Sequence, residues 1–219
     1  MEKTKSSQEA FKEVQNFLKN TSSGQIQKDE MEVKFTKIHP NAVTPSYAHD
    51  GDVGMDLYAV SYEWDEENDF YVYHTGLKME ALNRVGGFLF PRSSNRKTNC
   101  YLANSVGIAD IMIYRGEIML CFKDRTSSED RIKHAGYEAF FETMSYSTLE
   151  KALVEKKNAE DKMKERIKNL EFAPYKDLSK AVGQIVILNF DKVKFNEVDK
   201  LSDSERGEKG FGSTDKKNK

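Results

Sequence analysis

Residues 85–122 read VGGFLFPRSSNRKTNCYLANSVGIADIMIYRGEIMLCF. Within them GGFLFP, YLANSVGIA and GEIMLCF are apolar runs of strand length, cut by turn residues and too closely spaced to leave room for helices. Outward from this stretch the texture continues: MEVKFTKI, MDLYAVSY and FYVYHTGLKM precede it, and GQIVILNF and KVKF follow. Strands at this spacing predict antiparallel pairing in a sandwich, jelly roll or barrel rather than a parallel α/β sheet. The fold class is therefore all-β.

Three segments depart from that texture. Between Lys123 and Leu178 the chain is rich in Glu, Lys and Ala, with no proline before Pro174, which predicts an α-helical insertion. Leu149, Leu153, Ala159, Met163, Ile167 and Leu170 form a narrow seam close to period 3.5, and Lys and Glu cover the other faces, often four apart. So thin a seam packs on one partner, either residues 137–144 in a helical hairpin or another chain. At the start, Phe11, Val14 and Leu18 recur at helical spacing behind Ser6 and Glu9, the spacing of a capping box, so a short N-terminal amphipathic helix is expected. The end, DKLSDSERGEKGFGSTDKKNK, has no periodicity. The expected organisation is an N-terminal helix and linker over 1–30, a first β part over 31–122, the helical insertion over 123–178, a second β part over 179–196 and a flexible arm over 197–219.

Composition narrows the function classes. The 219 residues carry 34 Lys and Arg against 36 Asp and Glu, a net charge of -2, so no global basic field exists to hold nucleic acid or an anionic membrane. Any anion must be bound locally. No stretch approaches the roughly 18 apolar residues of a membrane span, and the opening MEKTKSSQEAFKEV has no apolar run of a secretion signal, so a cytoplasmic location is expected. Cys100 and Cys121 lie in strand-like runs, too far apart for a CxxC pair, and read as buried thiols rather than zinc ligands.

Against this neutral background a few local groups could carry chemistry. RGEKGFGST sets Arg206, Lys209, Ser213 and Thr214 among Gly207, Gly210 and Gly212, with Phe211 as its one aromatic; such amides, hydroxyls and cations suit phosphate, although a Gly-rich tail alone reads as a linker. In PRSSNRKT, Arg92, Ser93 and Ser94 follow a strand and suit a polyphosphate equally as well as a basic surface turn. Asp52 and Asp56 flank a glycine turn, where a turn is the ordinary reading and water-mediated Mg²⁺ the functional one. Asn104, Asp110, Tyr114 and Glu117 fall in one strand-turn-strand unit offering an amide for a base edge, a carboxylate for water and a ring for a sugar. Gln184 opens the strand GQIVILNF.

Together these residues resemble the homotrimeric dUTP pyrophosphatases (dUTPases), on five short motifs in the family's order. VGMDL, ending in Asp56 and Leu57, is similar to A-G-x-D-L; PRSS from Pro91 is similar to P-R-S-G; NSVGIAD with YRGEI is similar to motif three; GQIVI is similar to the motif-four strand; and RGEKGFGST is similar to R-G-x-G-G-F-G-S-T-G. TGLKMEAL also looks like the family's strand before motif two. The departures are Ser94 in motif two and Lys209 and Asp215 in motif five, in place of glycines, and three residues, Ile111, Met112 and Ile113, between Asp110 and Tyr114 where the family has two. The match covers about 31–122 and 179–214 and leaves the insertion and the N-terminal helix unexplained.

The resemblance implies a β jelly roll, a homotrimer whose sites each draw on all three subunits, and hydrolysis of dUTP to dUMP and pyrophosphate with Mg²⁺. Asp110 would be the general base toward the water that attacks the α-phosphorus. Asn104, with Gly107, Ile108 and their backbone, would read uracil, Tyr114 would pack on deoxyribose, and Phe211 would cap the base. Arg92, Ser93, Ser94 and Gln184 would hold the α and β phosphates, and Arg206, Gly212, Ser213 and Thr214 would close on the γ-phosphate. Asp56 would hold Mg²⁺ through water. Two alternatives remain at this level: a regulatory protein whose dUTP site switches a partner bound at 123–178, and, less well matched because Glu117 falls too early, a dCTP deaminase relative.

Overall fold

The computed structural model describes residues 31–82 and 84–204; the predicted N-terminal helix and motif five lie outside the described residues. Ten strands, all paired antiparallel, form three sheets. One holds β2 (Met55–Leu57), β10 (Gly183–Asn189), β6 (Val85–Phe90) and β8 (Gly107–Ala109), in that order. A second holds β3 (Ser61–Asp65), β4 (Phe70–His74), β9 (Met119–Asp124) and β7 (Cys100–Leu102). The third is a ribbon of β1 (Val33–Lys37) and β5 (Leu77–Ala81). This is a jelly roll, one of the antiparallel architectures the strand texture allows and the one the resemblance implies.

The alternation of side chains builds the core. On β5, Leu77, Met79 and Ala81 point inward while Lys78 and Glu80 do not, and β7 and β8 each bury their first and third residues. Leu57, Tyr73, Leu77, Phe122, Val182 and Ile185 are fully buried, each apolar side chain contributing about 1.5–3 kcal/mol. Cys100 is among the buried residues, whereas Cys121 is only half-buried. FYVYHTGLKM, read as one run, is two strands in different sheets. The chain breaks at Gly76, φ +68°, and the buried Thr75 hydroxyl donates to Ile118 O at 2.6 Å. KVKF forms no strand: the β10–β6 ladder ends at the pair Asn189–Val85, no strand among the described residues pairs with KVKF, and Phe195 is 92% exposed.

The insertion is a pair of helices, α1 (Ser128–Met144) and α2 (Leu149–Lys168), packed on each other. Ser127 and Thr148 cap them by accepting from the amides of Asp130 and Lys151. The seam differs from the one the sequence predicts. Ala152 and Ile167 are buried in α2, with Ala159 and Met163 half-buried on the same face, while Leu149 and Leu153 stay 57% and 52% exposed. The two helices approach closely at Gly136 of α1, where a Cβ would meet Glu160 Oε1 at 2.6 Å.

Three contacts tie this helical pair to the sheets. Arg131 pairs with Asp124 at the end of β9; Phe172 lies under both Arg131 (4.3 Å) and Arg166 (5.1 Å); and Tyr175 exchanges two hydrogen bonds with the buried Tyr73, its amide donating to the phenol and its carbonyl accepting from it. No helix among the described residues is long and apolar enough to cross a membrane.

Candidate active site

Strand β10 brings the first group of predicted residues together. Its Gln184 stands opposite Asp56 of β2 on one side and Phe90 of β6 on the other, so the residues that follow β6 reach Asp56 across it. Arg92 Nε lies 3.2 Å from Asp56 Oδ1, and Gln184 Nε2 donates to the same oxygen at 3.3 Å. Asp56 is 6% exposed, so its charge is tolerated because it is paired and hydrogen-bonded. Gly54 lets Gln184 lie close, since a Cβ there would meet Gln184 Cβ at 3.3 Å.

Arg92 is the extended residue that opens a 3₁₀ turn, Ser93–Lys97, with Ser94 half-buried and Ser93 exposed. The turn ends in basic residues, Arg96 and Lys97, and has no acidic residue in its first turn. Donors and positive charge around two hydroxyls are what a polyphosphate requires. Both contacts to Asp56 fall on Oδ1, and a single carboxylate suits a hard cation only where the ion is carried mainly by water and a substrate's phosphates. Among the described residues no cluster of three or more His, Cys, Asp or Glu could hold a metal by itself.

Asp110 and Tyr114 form a second group. The Asp110 carbonyl accepts from the amides of both Ile113 and Tyr114 at 2.8 Å, closing a tight turn in which Ile111 is fully buried and Ile113 is 80% exposed. The turn thus absorbs the additional residue between Asp110 and Tyr114. Arg115 caps it, donating to the carbonyls of Ile111, Met112 and Tyr114 and pairing with Glu80 at 3.4 Å. The strand-turn-strand unit read from the sequence is not a hairpin: β8 pairs with β6 and β9 pairs with β4 and β7, so the turn crosses from one sheet to the other.

Glu117 holds the return of this turn. Its carbonyl accepts from Tyr114 Oη at 3.2 Å, one carboxylate oxygen accepts from the Gly76 amide at 2.7 Å, and the other lies 3.1 Å from His74 Nδ1. Glu63 faces the other ring nitrogen of His74 at 3.4 Å. Partial burial works against charge on His74, but the two carboxylates outweigh it and raise its pKa above 6.5.

The two groups do not meet. Gly107 pairs with Leu89 and Ala109 with Gly87, so Asp110 continues toward the Val85 end of β6 while Arg92 follows its Phe90 end. Asp110 thus falls level with Gly86 and the Asp56–Gln184–Arg92 cluster level with Phe90, four residues or roughly 13 Å apart along the strand at ~3.3 Å per residue. Asn104 lies before β8, on the Leu89 side, and its Nδ2 faces Gly107, where a Cβ would also meet Leu89 at 3.0 Å. Ile108, between Gly107 and Ala109, is 67% exposed. Arg206, Phe211, Gly212, Ser213 and Thr214 lie outside the described residues.

The sequence reading did not find Tyr175. Its phenol donates to Asn95 Oδ1 at 3.1 Å, beside Ser94 and the Arg92 charge. Only its place behind Pro174, at the return from the helices, marked it in the sequence.

No family model matches the chain. Among curated proteins it is 32% identical to the deoxyuridine 5'-triphosphate nucleotidohydrolase of Alkaliphilus metalliredigens, over 83% of this chain and 96% of that one. It is 30% identical to the nucleotidohydrolase of Clostridium acetobutylicum, over 83% and 95%. Among solved structures, a Staphylococcus bacteriophage 80alpha dUTPase mutant with dUpNHpp superposes with a TM-score of 0.52 at 18% identity, over 84% of this chain and 98% of the other. The 80alpha dUTPase with dUPNHPP gives 0.51 at 19% identity, over 83% and 97%. The phage structures share the fold. Identity along nearly the whole length of the Alkaliphilus protein goes further, and with it the chain belongs to the dUTPase family.

Proposed function

We propose that this dUTPase releases pyrophosphate from dUTP at a site assembled from more than one copy of the chain, with Asp110 of one copy facing the phosphate-binding group of the next. The observation that carries this reading is the separation along β6. A general base must come within hydrogen-bond reach of the attacking water, about 3 Å, and the phosphate group must hold the same α-phosphate. Backbone positions roughly 13 Å apart along one strand, at ~3.3 Å per residue, do not bring both groups to one α-phosphate within a single chain. A head-to-tail contact that places one copy's Asp110 turn beside its neighbour's Arg92 joins them, and three copies close such a contact into a ring.

In this reading Asp110 accepts the proton of the water that attacks the α-phosphorus, and pyrophosphate leaves in line. Tyr114 packs its ring on deoxyribose, and Asn104, with the backbone at Gly107 and Ile108, reads uracil. Arg92, Ser93 and Ser94 bind the α and β phosphates, with Gln184 and Asp56 keeping Arg92 in place. Phe211, Arg206, Gly212, Ser213 and Thr214 cover the base and the γ-phosphate. Mg²⁺, when bound, would neutralise charge on the phosphates, and Asp56 would hold it through water.

The test is subunit mixing. Asp110→Asn and Arg92→Ala proteins are each expected to be inactive, and equal amounts exchanged into mixed oligomers are expected to recover about a quarter of the wild-type rate. That is the fraction of contacts pairing an intact Asp110 with an intact neighbouring Arg92. No recovery in oligomers proven to be mixed overturns the shared site.

A further inference from the structure

The phosphate-binding turn has a support that none of the family's motifs supplies. Tyr175 lies beyond α2, where the chain returns from the helical pair to the sheets, and its ring packs edge-on against Tyr73 (5.9 Å between centroids) and Phe122 (5.2 Å). Its backbone is clamped on both sides by the Tyr73 phenol, with Tyr175 N donating to it at 2.9 Å and Tyr175 O accepting from it at 3.0 Å. A phenol fixed at the ring and at the backbone has one remaining degree of freedom, the direction of its O–H. That group donates to Asn95 Oδ1 at 3.1 Å.

Asn95 is the pivot of the turn after Arg92. Its amide donates to Arg92 O at 2.9 Å, its carbonyl accepts from Thr98 N at 2.9 Å and Thr98 Oγ1 at 2.8 Å, and its side-chain Nδ2 donates to Cys100 O at 2.9 Å. Burial pushes the Tyr175 phenol above its ordinary value, while Ser94 and the Arg92 charge pull the other way, which sets the hydroxyl beside two of the residues assigned to phosphate. It therefore stays a neutral donor at neutral pH.

We propose that Tyr175 is a positioning residue of the reaction, holding the Arg92–Ser93–Ser94 turn through Asn95 in the geometry that grips the triphosphate and thereby linking the helical pair to the phosphate end of the site. This rests on the assignment of that turn to the α and β phosphates. The link is short: Phe172, held between Arg131 and Arg166, is three residues before Tyr175, so the base of the helices and the turn share one rigid connector. Such a residue acts on the phosphate portion of the substrate and leaves the nucleoside portion alone.

The test uses Tyr175→Phe in the full chain, which keeps the ring and removes the hydroxyl, beside Ser94→Ala. The expected result is a three- to tenfold rise in KM for dUTP in both variants, the scale of one neutral hydrogen bond. Competitive inhibition by deoxyuridine, which has no phosphate, should stay as in the wild type. In the Ser94→Ala background Tyr175→Phe should add less than it does alone, because both act on the same grip. If Ser94→Ala raises KM and Tyr175→Phe does not, the support role is overturned and the phosphate assignment stands. If neither changes KM, the phosphate assignment falls and the proposal with it. Equal weakening of dUTP and deoxyuridine by Tyr175→Phe shows a general packing defect and also overturns it.

Discussion

At the Phe90 end of β6 a guanidinium and an amide converge on one oxygen of a carboxylate that is almost closed to solvent, and a 3₁₀ turn carrying two serines is braced beside it. At the Val85 end Asp110, Ile113 and Tyr114 stand on an exposed turn whose internal bonds are all made by the backbone, by Arg115 or by the Tyr114 phenol. The first region is finished within the single chain; charge, hydrogen bonds and burial there balance without any ligand. The second leaves the Asp110 carboxylate exposed. One region therefore couples function to stability and the other does not, and substitutions separate the two.

Asp110→Asn is expected to have the largest effect, a 10²–10⁴-fold loss of kcat in pyrophosphate release, as for removal of a general base. Because Asp110 is exposed, its melting temperature should match the wild type. A substantial fall in melting temperature would erase the contrast between the two ends. Asp56→Ala should do the reverse, costing about 1–3 kcal/mol of stability in denaturant melts because Arg92 and Gln184 lose their shared acceptor in a nearly closed site, and raising KM as Arg92 loosens. An Asp56→Ala protein as stable as the wild type would show the cluster to be held by the sheet alone.

The smallest expected effect is a pH dependence confined to the Asp110 region. His74 has a raised pKa in the folded chain, so its ion pairs with Glu117 and Glu63 stabilise fully below pH 6.5, and that contribution is lost as pH rises through the raised value. Melting temperature should therefore decline across that window. Glu117→Gln should flatten the decline, and an unchanged slope would show that the His74–Glu117 pair does not contribute to it.

The fold was legible where side-chain alternation carries it. β5 buries every second residue, so the inner face could be read directly. Where a tertiary partner decides, the sequence had nothing to show: KVKF has strand composition but no strand partner among the described residues, and Leu149 and Leu153 look like a seam although α2 buries Ala152 and Ile167 instead. For the site, motif order identified Asp56, Arg92 and Gln184 separately, and their meeting depends on the register of β10 against β2 and β6. That register is set by packing over the whole sheet, not by any local pattern. Tyr175 lies outside every motif, and a single tyrosine behind a proline has no sequence signature that separates a brace from an ordinary core aromatic.

The same register has a consequence on the ribosome. Gln184 bonds to Asp56 across 128 positions, and β10 is the central strand that β2 and β6 both need as a neighbour. Until β10 leaves the exit tunnel, β2 and β6 have unpaired edges, and the 3₁₀ turn has no Gln184 to complete its cluster. Translation of the helical insertion delays that arrival by roughly 3–12 s at about 5–20 residues per second. The helices, whose contacts are local, fold during the pause and settle against β9 through Arg131. The Asp56–Gln184–Arg92 cluster therefore closes only once β10 has emerged, after the helical pair has been made.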